Sequence, residues 1–156
     1  MIKVDLILPD ESSSERQAAK TATCLFSPLV LSFSGEIGAG KTMFIRAMLR
    51  ALGIKTAVKS PTFSLVESYQ CSDFQVHHFD LYRIHDEVEL EYIGFRDYFR
   101  EDSVCCIEWP ERGGHFLEKV DINFAFIING SGRLLTIKAA STAGEKLLSC
   151  LVGKHE

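Results

Sequence analysis

Residues 35–42 read Gly-Glu-Ile-Gly-Ala-Gly-Lys-Thr, a glycine, four residues, and then Gly-Lys-Thr, which is the template of a loop that cradles phosphate groups. Gly35, Gly38 and Gly40 allow the chain to wrap closely, with backbone N–H groups turned inward. A following helix adds the partial positive charge of its N-terminus. Lys41 would reach the β- and γ-phosphates and serve catalysis. Thr42 is spaced to put its hydroxyl on a magnesium ion bridging them. Ile37, Gly38, Ala39 and Gly40 would bind through their backbone, so the side chains of Glu36 and Ile37 matter less.

Such a loop needs an acid at the carboxyl end of a neighbouring strand, to hold magnesium or its water shell and to polarise an attacking water. Two positions qualify. Glu108 follows four apolar residues, Val104-Cys-Cys-Ile107, which suits a central parallel strand. Asp80 follows the less apolar Val76-His-His-Phe79 and precedes Leu81-Tyr82-Arg83. The alternative, a plain strand-end carboxylate at a turn, is the weaker reading for both, and weaker for Glu108 than for Asp80. Arg83 could neutralise phosphate charge or form a plain ion pair. His77 and His78 alternate faces in a strand, so at most one can face a site and a metal pair is not expected. Trp109 is a surface-loop anchor or a cover over the nucleotide, with packing the simpler reading. Thr62 is either a turn residue or part of a switch that senses the γ-phosphate.

The loop has to sit between a strand and a helix, and the flanks supply both. The apolar run at residues 29–34 precedes it, and Phe44, Ile45, Met48, Leu49 and Leu52 follow at helical spacing up to Gly53. Before them, residues 2–8 read as a strand and 14–26 as a helix. After Gly53, residues 60–69 read as a proline-led turn feeding a β-rich run, paired antiparallel with residues 74–79. Residues 86–92 look helical, with a second short turn carrying Phe95, Tyr98 and Phe99. Residues 122–127 and 133–138 flank a turn at Asn129 and form a hairpin, and a helix at 141–152 closes the chain. The expected architecture is α/β: a three-layer P-loop NTPase fold whose central parallel sheet is extended by antiparallel strands, in a single domain over residues 1–156.

Composition narrows the class. With 156 residues, 46% hydrophobic and 24% charged, the chain can bury a sizeable core. Its formal charge of −4 argues against a broad basic face for nucleic acid, so any RNA contact would be local or through a partner. No apolar stretch is long enough for a bilayer and the N-terminus has no signal-peptide pattern, so a cytoplasmic enzyme without membrane association is expected. The five cysteines, Cys24, Cys71, Cys105, Cys106 and Cys150, lack a CxxC pair and are expected to be reduced and mainly buried.

Guanine-binding GTPases carry Asn-Lys-x-Asp and Asp-x-x-Gly, and neither string occurs here. No arginine-rich lid of a nucleoside-phosphate kinase is apparent. ATP is therefore the favoured nucleotide. The phosphate loop, Ser-Pro-Thr-Phe-Ser-Leu-Val at 60–66, His-Phe-Asp-Leu-Tyr-Arg at 78–83 and Ile-Glu-Trp-Pro-Glu at 107–111 together resemble the bacterial TsaE family, the ATPases of tRNA threonylcarbamoyladenosine biosynthesis. The loop departs from the commoner Gly-Asp-Leu-Gly form only at Glu36 and Ile37.

The resemblance implies a protein that binds and hydrolyses ATP with Mg2+ and supports, without itself modifying the adenosine, the proteins of the threonylcarbamoyl-transferase complex. It implies Thr42 and Glu108 as magnesium ligands and residues 37–42 as phosphate-binding. It also implies Asp80 as a hydrolysis acid, Ser60, Pro61 and Thr62 within a switch, and Glu11 and Arg133 near the nucleotide. Two other functions fit the same residues: a nucleotide-dependent assembly module whose hydrolysis is incidental, and a small-molecule kinase.

Overall fold

The computed structural model describes residues 2–55, 65–117 and 119–153. Its centre is β2 (Leu29–Ser34), buried at every position but the last, the pattern of a strand covered on both faces. Parallel to it run β5 (Ser103–Glu108) on one side and β6 (Ile122–Asn129) on the other, and β4 (Gln75–Asp80) is parallel to β5. Antiparallel strands complete the edges. β3 (Val66–Gln70) pairs with β4, β7 (Gly132–Ala139) with β6, and β1 (Lys3–Leu8) with β7. The seven strands lie in the order β1-β7-β6-β2-β5-β4-β3. An α/β fold with a mixed, partly parallel sheet is what the sequence pattern called for.

Strand alternation sends successive side chains to opposite faces, and two apolar clusters result. Leu31, Phe33, Cys106 and Phe124 belong to the first, which packs under α2 (Lys41–Ala51), α1 (Glu11–Cys24) and α4 (Thr142–Leu151). Phe44 of α2 meets Phe126 edge-on at 5.4 Å, and Phe33 stacks on Phe124 at 5.0 Å. These ring pairs fix the helix that follows the glycine loop over the sheet. Val30, Phe79, Cys105 and Ile107 form the second cluster with the short α3 (Val88–Tyr92) and the 3₁₀ turn Phe95–Tyr98. Cys105 and Cys106 thus face opposite ways, as expected.

Local signals set the helix ends. α1 starts at Glu11, earlier than the apolar spacing implied, because Asp10 accepts from the Ser13 N–H at 2.8 Å and the Ser13 side chain answers, closing a capping box. Ser141 caps α4 through the Gly144 N–H. Gly144 is required by space: a Cβ there would lie 1.8 Å from the Asp121 carbonyl oxygen. The Asp121 carboxylate in turn accepts from the Val30 N–H at 2.8 Å and the Ser141 hydroxyl at 2.6 Å, joining the starts of β2, β6 and α4.

One expectation is corrected. Cys24 and Cys150 form a disulfide, so the five cysteines are not all reduced; Cys71, Cys105 and Cys106 are free and buried. The pair closes because α1 and α4 pack on the same face with their C-terminal ends adjacent, which puts the two Cα atoms 5.9 Å apart. A separation of 126 residues left no trace of this in the local sequence. Among the described residues no helix is long and apolar enough to cross a membrane.

Candidate functional site

Parallel pairing brings three chain segments to one edge of the sheet. β2 runs into the glycine loop and α2, while β4 and β5 end at Asp80 and Glu108, which are register partners. Gly35 opens the loop at φ 139°, and a Cβ there would stand 2.6 Å from the Phe126 carbonyl oxygen, so the turn and the close approach to β6 both need glycine. Gly40, at φ 108°, hands the chain to α2, and its own carbonyl accepts from the Phe44 N–H.

Lys41 is 5% exposed. Its ammonium donates to the carbonyls of Gly35 and Glu36, and it lies 4.0 Å from the centre of the Trp109 ring. Burial lowers the lysine pKa, opposed by the carboxylates of Glu108, Glu111, Asp80 and Glu36. An anion entering the loop would offer that charge what solvent does not. Next along the helix, Thr42 Oγ1 donates to the Glu108 carboxylate, 2.8 Å from Oε1 and 3.0 Å from Oε2. Glu108 is 2% exposed, and its Oε2 is 2.6 Å from Nε2 of the fully buried His78. Asp80 accepts from the Tyr82 N–H at 3.1 Å through Oδ1.

Trp109 takes a left-handed backbone at φ 60°, the one non-glycine residue among those described to do so. This turns the chain after Glu108 and lays the indole beside Lys41 and against Tyr82, ring centres 4.9 Å apart. Arg112 fastens the same wall, donating to the carbonyls of Tyr82 at 2.7 Å and Ile84 at 3.2 Å. Opposite, Arg133 reaches in from β7. Its Nε donates to the Ala39 carbonyl at 2.9 Å, one terminal nitrogen to Gly38 at 3.1 Å, and the other to Gly132 at 2.8 Å. Each guanidinium nitrogen thus holds a carbonyl, two of them in the loop itself.

Together these groups enclose a cavity of about 560 Å3, within the range of small-ligand sites. Residues 37–42, Asp80, Glu108, Glu11 and Arg133 all line it. Ser60, Pro61 and Thr62, the expected switch, lie outside the described residues. Arg83 is exposed and not part of the cavity wall. Trp109 and Tyr82 line it as well, a role beyond the packing expected for Trp109. Of His77 and His78, of which at most one was expected to face the site, it is His78 that meets Glu108. The signal for it was alternation: His78 shares a strand face with Asp80, as Cys106 does with Glu108.

The donor set suits magnesium. Among the described residues no group of three or more His, Cys, Asp or Glu could hold a metal by itself. Thr42 and Glu108 offer hard oxygen donors beside a phosphate loop, and magnesium is commonly held by one or two protein oxygens, with phosphates and water completing the shell.

A family model described as "Threonylcarbamoyl adenosine biosynthesis protein TsaE" matches residues 8–134. The chain belongs to the TsaE family. The matched span includes every residue that lines the cavity, from Leu8 to Arg133. The chain is 39% identical over 147 residues to a tRNA threonylcarbamoyladenosine biosynthesis protein TsaE of Haemophilus influenzae, covering 91% of this chain and 93% of that one. It is 36% identical over 110 residues to the TsaE of Aquifex aeolicus, covering 69% and 77%. The crystal structure of Bacillus subtilis YdiB has the same fold, with a TM-score of 0.78 at 24% identity, over 97% of this chain and 96% of that chain.

Proposed function

We propose that this TsaE-family chain is a magnesium-dependent ATP-binding and ATP-hydrolysing protein of the P-loop type, required for threonylcarbamoyladenosine modification of tRNA. It acts in the cytoplasm with proteins of the threonylcarbamoyl-transferase complex and meets tRNA only through them. The observation that carries the reading is the Thr42–Glu108 pair set directly behind Lys41 at the helix N-terminus, within a chain of this family.

The residues divide the work by position. Backbone N–H groups of residues 37–42 bind the phosphates, and Lys41 exchanges its bonds to Gly35 and Glu36 for the β- and γ-phosphate oxygens. Thr42 and Glu108 would hold magnesium, which would supply neutralisation of phosphate charge. Asp80, in register with Glu108, orients the water that attacks the γ-phosphorus and takes up its proton. Arg133 keeps the loop carbonyls of Gly38 and Ala39 turned away from the phosphates. Glu11 closes the wall at the first turn of α1, and residues 60–62 relay the state of the γ-phosphate.

ADP release with and without the partner proteins tests this reading. Lys41→Ala is expected to cut hydrolysis at least ~100-fold, the scale for losing one principal charge-stabilising group; undiminished ADP release would overturn it. Asp80→Ala is expected to bind ATP without cleaving it. If that variant supported tRNA modification through many turnovers, the site would be an assembly module in which hydrolysis is incidental. Stimulation by a metabolite in place of the partner proteins would make it a kinase.

A further inference from the structure

We propose that His78 is the positioning residue of the magnesium carboxylate: its Nε2–H holds Oε2 of Glu108 at 2.6 Å, so that Oε1, beside Thr42, is the oxygen presented to the cation. The inference rests on the reading of Glu108 as a magnesium ligand.

Three observations carry it. His78 has no solvent exposure and Glu108 almost none, so the carboxylate cannot take its partners from bulk water. An ionised carboxylate only accepts, and its donors among the described residues are Thr42 and His78. Thr42 shares one hydroxyl proton between both oxygens and so does not distinguish them; the imidazole, carried by β4, meets Oε2 alone. Finally, His78 Nδ1 is buried with no hydrogen-bond partner among the described residues. A ring nitrogen left unmatched in an apolar interior is a cost that an aliphatic side chain would avoid. Val76, two residues earlier on the same face, is such a side chain, fully buried. Imidazole at position 78 is accounted for by its other nitrogen. Groups that orient a metal-binding side chain in this way commonly change metal affinity 10–100-fold when removed.

The test uses Mn2+ as the probe, titrated into the full chain with ADP and followed by the electron paramagnetic resonance of free Mn2+. His78→Leu is expected to weaken Mn2+ binding 10–100-fold while leaving ADP affinity in EDTA unchanged. His78→Gln, which retains an N–H donor, is expected to recover much of the loss. Wild-type Mn2+ affinity in His78→Leu would overturn the proposal. Glu108→Gln separates the two readings: if it loses Mn2+ and His78→Leu does not, only the role of His78 falls, and if it too binds Mn2+ normally, both fall. Should His78→Leu fail to fold, 15N chemical shifts of the wild-type imidazole decide. A proton on Nε2 supports the proposal, and a bare Nε2 overturns it.

Discussion

His77 and His78 are neighbours in β4 with opposite surroundings. His78 lies on the strand face of Val76 and meets the Glu108 carboxylate; His77 faces the second apolar cluster, where the Tyr98 ring meets it edge-on at 5.0 Å. Nδ1 of His77 lies 2.7 Å from the hydroxyl of Ser68, and Nε2 lies 3.3 Å from that of Ser103, which donates to Asp102. Burial lowers the His77 pKa below its usual 6.5, against the opposing pull of Asp102. Between the lowered value and 6.5 the unfolded chain binds more protons than the folded one, so stability rises with pH across that window and is lost as pH falls through it. Urea unfolding from pH 7.5 down to 5 is therefore expected to show a decline beginning near 6.5. His77→Gln, uncharged in both states, is expected to flatten that part of the curve; an unchanged slope would assign it to other groups.

At the scale of the elements, the strand–loop–helix unit was legible because each of its signals is local. The apolar run of β2, the glycines, and the spacing of Phe44, Ile45, Met48 and Leu49 all lie within about six turns of chain. Glu108 was legible as well, since four apolar residues ending in an acid describe a buried strand arriving at a sheet edge. The joints between elements were not. Nothing near Asp121 announces that its carboxylate ties β2 to the cap of α4, or that its carbonyl leaves no room for a side chain at Gly144. Such contacts exist only once the sheet order is set. Gly144→Ala is expected to destabilise the protein by about 2–3 kcal/mol, the scale of overpacking a closed site, because a helix N-terminus and a strand start must separate. Thermal and urea denaturation would measure it, and a loss under about 0.5 kcal/mol, the usual surface range, would show that the joint yields freely.

Over the whole molecule, the least legible feature is the Cys24–Cys150 bond, which fastens the first helix to the last across 126 residues. Closing so large a loop restricts the unfolded chain, worth about 5 kcal/mol on the chain-entropy account. Reduction is expected to lower the urea midpoint accordingly, and a non-reducing peptide map should join the peptides that carry Cys24 and Cys150. Intact protein with no such linked peptide would contradict the pairing. The same long reach governs the phosphate loop. Arg133, which holds the carbonyls of Gly38 and Ala39, lies 95 and 94 positions downstream of them. On the ribosome the loop is therefore made long before its clamp. A nascent chain can carry the complete glycine-loop signature and still lack the residue that sets its shape, so the loop takes its folded form only once the β6–β7 hairpin has been made.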